Sequence, residues 1–99
     1  MFYEVAMIVG VCTVYLSIEQ ANTLKEKRMV LKSLIARLKN KFNISVAEVD
    51  NQDIIKNAAI GFACVTNDTG HANSIIQHVL NYIETFSEAV IIDISIEIL

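Results

Sequence analysis

Four cations recur at helical spacing in this 99-residue chain: Lys25, Arg28, Lys32 and Lys39. At about 100° per residue they fall within an arc of about 60° on a helix. Such a row suits nucleic-acid phosphates, because several cations along one face release condensed counterions as they bind. The same row is also what an ordinary solvated helix face looks like, its lysine stems lying over apolar surface. Salt separates the two, since phosphate contacts must weaken as salt is added.

The remaining reactive side chains are more scattered. His71 and His78 lie seven positions apart, which on a helix puts them on one side but about 10 Å apart along the axis. A helical metal pair wants a spacing of three or four, so they read as rim histidines, with Tyr82 on the same flank. Asn67 and Asp68 precede His71. That is the one place where a small polar site could assemble, and helix capping accounts for the same residues. Glu48, Asp50 and Asp53 put three carboxylates in six residues, without the turn glycine or the spacing of a calcium loop. Cys12 and Cys64 sit in apolar runs, as buried reduced thiols do.

Familiar activities of small α+β domains lack their residues here. The segment Ile60-Gly61-Phe62-Ala63-Cys64-Val65 resembles the aromatic strand of RNA-recognition motifs. Stacking bases there needs two outward rings, and only Phe62 is aromatic, with Tyr15 the nearest supplement; Phe62 is expected in the core. The first strand has no aspartate for a metal-dependent nuclease. The loop Glu19 to Thr23 has no arginine for a phosphate cradle, and three glycines in all leave no phosphate loop. The expectation is a protein that is not an enzyme, with no catalytic, cofactor or metal residues.

These side chains must be carried by a few elements. A strand is expected over Tyr3 to Ile18, with Gly10 as a bulge. In it Val14, Leu16 and Ile18 alternate with Thr13, Tyr15 and Ser17. A helix follows from Leu24 to Lys41, with Thr23 as N-cap, Glu26 in capping-box position and Lys27 near the buried side. Phe42 to Val49 reads as a second strand and Ala58 to Thr66 as a third. A second helix runs from Gly70 to Phe86, capped by Asn67 or Asp68. The last strand, Ala89 to Ile98, sets Ile92, Ile94, Ile96 and Ile98 against Asp93, Ser95 and Glu97. Two amphipathic helices need one apolar surface each, which one face of a four-stranded sheet supplies. The fold class is therefore α+β, a ferredoxin-like βαββαβ sandwich, expected as one domain over residues 1–99.

The stretch Thr23 to Leu34 (TLKEKRMVLKSL), followed by Phe42 to Asp53 (FNISVAEVDNQD) and closed by Glu97 to Leu99, resembles the YlxP-like family of small bacterial proteins. The resemblance implies a ferredoxin-like fold with no established biochemical activity. It also implies gene neighbours in translation and ribosome maturation, hence a ribosome- or RNA-related role.

Composition narrows the partners. A net charge of −3, with 54% hydrophobic residues, makes no global basic field, so RNA must be met through the local row. The run Val5 to Leu16 is too short for a membrane helix and follows Glu4 rather than a basic segment. The expected protein is cytoplasmic, makes no membrane contact, and binds ribosome or RNA through Lys25, Arg28, Lys32 and Lys39. The competing expectation is a homodimeric protein-interaction or ligand-sensing module. Its sheet would pair through an outward face built from Thr13, Tyr15, Ala63 and Ser95.

Overall fold

A computed structural model describes residues 6–99. Six elements follow one another: β1 (Ile8–Ser17), α1 (Leu24–Lys41), β2 (Ser45–Asp50), β3 (Asn57–Thr66), α2 (Thr69–Glu84) and β4 (Val90–Ile98). The strands form one antiparallel sheet in the order β2-β3-β1-β4. This is the ferredoxin-like α+β arrangement. Tyr3, Glu4 and Val5, where the sequence predicts the chain entering its first strand, lie outside the described residues.

The side chains of β1 explain why the sheet has one dry face. Gly10, Cys12, Val14 and Leu16 are buried, and the residues between them are partly exposed. Their partners on β3, Cys64, Phe62, Ile60 and Ala58, are buried too. Onto this face pack Leu31, Leu34 and Leu38 of α1 and Ile76, Val79 and Ile83 of α2, in one continuous core. Each fully buried side chain of this size contributes about 1.5–3 kcal/mol by leaving water. The core therefore fixes the sheet's facing and leaves the outer side of α1 free.

Three sequence expectations shift. Phe42 does not open a strand: its N–H donates to the Leu38 carbonyl at 2.9 Å and it caps α1, so β2 begins only at Ser45. Gly10 is not a bulge; it keeps regular register with Cys64 and Ile98. A side-chain carbon there would stand 3.1 Å from Ile76 Cδ1 and 3.2 Å from Cys64 Sγ, so glycine lets α2 approach the sheet closely. The register shifts fall instead in the two edge strands, at Glu48/Asp50 of β2 and opposite Tyr15/Leu16 in β4. That second shift breaks the expected isoleucine alternation at Ile92. Ile94 and Ile96 do pair with the buried Val14 and Cys12. They nonetheless stay 42% and 45% exposed, as members of a margin strand with sheet on one side only.

Candidate nucleic-acid interface

Helix α1 is set by its first turn. Thr23 Oγ1 accepts from the Glu26 N–H at 3.1 Å, and the Glu26 carboxylate reaches back to the Asn22 N–H at 3.3 Å. The first bond satisfies a donor that the helix start leaves open, and the second ties the residue ahead of the cap to the first turn. From there the apolar positions turn Leu31, Leu34 and Leu38 inward and present Lys25, Arg28, Lys32 and Lys39 to solvent. Lys25 to Lys39 spans about 21 Å of helix at 1.5 Å per residue. Among the described residues none of the four has a carboxylate within ion-pair distance.

Lys27, in the same turn as Lys25 and Arg28, behaves in the opposite way. Its side chain is fully buried, as its helical position predicts, and its ammonium donates to the Asn51 carbonyl. Glu48 Oε2 lies 3.3 Å away without taking a hydrogen bond from it, so the pair is held by charge rather than by a directed bond. Asn51 reaches this position with φ of +62°, a left-handed conformation that asparagine tolerates better than most residues. Lys56 does comparable work across the sheet end, donating to the Glu19 and Ala21 carbonyls at 2.5 and 3.0 Å. Two of the eight basic residues are thus structural pins.

At the other end of α1, Lys39 stands over a groove of about 500 Å³ lined also by Asn43, Ser45, Ala63 and Val65. Lys41 turns the other way, 5.3 Å from the ring centre of Tyr82 and 6.0 Å from that of Phe42. Those two rings meet edge to face at 5.8 Å. A second cavity, of about 320 Å³, opens here with Lys41, His71 and His78 in its wall. In the sequence Lys41 ends the first helix, while His71 and His78 share one side of the second. Antiparallel docking of α1 against α2, with Arg37 over Phe86 and Lys41 over Tyr82, brings them together, and no spacing rule within one helix could have shown it.

The other sequence candidates are dispersed. Glu48 faces Lys27, while Asp50 accepts from the Asn51 N–H at 2.8 Å, so the three carboxylates do not converge. Among the described residues no group of three His, Cys, Asp or Glu side chains is arranged to hold a metal ion. Asp68, not Asn67, caps α2, accepting from the His71 N–H at 2.8 Å, and His71 Nδ1 lies 3.1 Å from Thr66 Oγ1. Cys12 and Cys64 are free and buried; burial pushes the Cys12 thiol up from 9.0 to about 11. Phe62 is in the core and Tyr15 on the open face, so no pair of rings forms a base-stacking platform on β1 and β3.

Residues 9–96 match a family described as "Protein of unknown function (DUF503)". The chain belongs to the DUF503 family. It is similar to the "Uncharacterized protein YlxP" of Bacillus subtilis (strain 168), 38% identical over 77 residues that cover 78% of this chain and 79% of that one. The fold alone is shared with a solved structure, "De novo designed protein Foldit4". That likeness has a TM-score of 0.56 at 10% identity, over 94% of this chain and 96% of the designed one. Among the described residues of this DUF503 chain, no helix is long and apolar enough to cross a membrane.

Proposed function

We propose that this DUF503 protein is a non-catalytic binding module that contacts RNA, on or off the ribosome, through the outer face of α1. The observation that carries the reading is the contrast within that helix. Lys27 is withdrawn into the structure, whereas Lys25, Arg28, Lys32 and Lys39 stand exposed and without acidic partners among the described residues. A row of unneutralised cations about 21 Å long matches several consecutive phosphates and needs no base-specific group. The test is sedimentation through sucrose gradients of native lysate. The protein should travel with ribosomal particles at low salt and leave them at high salt, and the Arg28→Glu/Lys32→Glu variant should stay at the top in both. Co-sedimentation that persists at high salt would exclude a phosphate contact.

A second reading has its own observation. The open face of the sheet carries Val11, Thr13, Tyr15, Ala47, Gly61 and Ala63, with Asp50, Asp93 and Glu97 toward its edge strands. A shallow hollow of about 290 Å³ lies over its middle. The uncharged middle of that face is suited to a second copy of the chain, as a dimer packed face to face. Light scattering after size exclusion decides it, because a monomer at high micromolar concentration would remove the interface.

A further inference from the structure

We infer that the cavity between the end of α1 and the start of α2 is a binding site for a single 5′-nucleotide, free or unstacked from an RNA strand. The inference extends the RNA reading of α1 and rests on it only for the source of the nucleotide. Three groups in the wall suit a phosphate: the Lys41 ammonium and the His71 and His78 imidazoles. Phe42 and Ile75 give the same cavity an aromatic and apolar side, and Asn43 supplies an amide that can both donate to and accept from a base edge. A bare anion would leave that apolar side unused, and a metal ion would find only two imidazoles beside a cation.

The geometry favours a ligand with a flat body. Lys41, exposed at the end of α1, has its ammonium beside the Phe42 and Tyr82 rings, so its charge sits next to an aromatic pair. Asp68, the N-cap of α2, accepts from the His71 N–H and does not line the cavity. At about 320 Å³ the space is at the lower end of the roughly 300–1,000 Å³ of small-ligand sites, enough for one nucleotide and not a string of them. The groove under Lys39 shares Asn43 and Val65 with it. A strand held along α1 can therefore continue round the end of the helix and insert one nucleotide.

The test is NMR of the full-length protein, titrated separately with adenosine 5′-monophosphate, inorganic phosphate and a short single-stranded RNA. The nucleotide should move the His71 and His78 imidazole signals and the Asn43 amide saturably, whereas phosphate at equal concentration should not. Lys41→Ala, an exposed change that leaves the fold intact, should weaken the nucleotide about tenfold, the worth of one charge-assisted contact. RNA that moves the same signals identifies an RNA-borne nucleotide; RNA that does not, while the mononucleotide saturates, identifies a free one. Absent shifts, equal shifts with phosphate alone, or an unaffected Lys41→Ala would overturn the site. Failure of the helix reading looks different: RNA fails to bind while the mononucleotide still saturates its pocket.

Discussion

The residues of α1 divide by what surrounds each charge. Lys27 lies in the core with a partly buried carboxylate beside it, and removing one member of such a pair strands the other. Lys27→Met should cost roughly 3 kcal/mol in urea unfolding, and adding Glu48→Leu should recover part of it. Additive losses in that cycle would mean the two do not interact. Cys12 makes a pH prediction of its own. Its thiol is raised from 9.0 to about 11 in the folded state by burial, so the native protein holds that proton where the unfolded chain releases it. The stabilisation is complete below pH 9 and fades as pH rises toward 11. Cys12→Ala should flatten the stability profile in that window, and an unchanged slope would assign it to other groups. The withdrawal of Lys27 was legible from its helical angle. Its partners were not, because Asn51 and Glu48 arrive from a turn and a strand more than twenty positions away.

Among the elements, α1 was fully legible because cap, periodicity and charge all agree from Leu24 to Lys41. Thr23→Ala should cost about 1 kcal/mol by thermal unfolding, since it leaves the Glu26 N–H without its acceptor. The start of β2 was misread because Phe42 and Ile44 look like strand residues, while the helix-capping bond that claims Phe42 leaves no mark in the sequence. The edges were the least legible. Both carry a register shift and an aspartate that takes the next residue's N–H, Asp50 from Asn51 and Asp93 from Ile94, at 2.8 and 2.9 Å. These devices make a margin strand a poor template for another chain. Asp93 has the heavier task, because exposed Ile92, Ile94 and Ile96 lie around it. Asp93→Ala should aggregate faster on mild heating, and an unaltered rate would show that the bulge alone suffices.

At the scale of the whole molecule, net charge is a poor guide to partners. The chain carries −3 overall, yet two basic residues are spent as internal pins and four of the others share one exposed helix face. Element order gave the ferredoxin-like sheet, and with it the separation of a basic helix side from a mild open face. It did not give the meeting of Lys41 with His71 and His78, which depends on how the two helices are staggered. The two proposed surfaces respond to salt in different ways. Phosphate contacts on α1 weaken steeply, whereas association through the low-charge sheet face does not depend on ion release. The central claim is most directly tested by fluorescence anisotropy of a labelled single-stranded RNA across a salt series. Four phosphate contacts at about −0.7 each predict a slope of log affinity against log salt near −3, falling toward −1 in Arg28→Glu/Lys32→Glu. A slope near zero, or one unchanged in that variant, would contradict the assignment of α1 as the RNA-binding face.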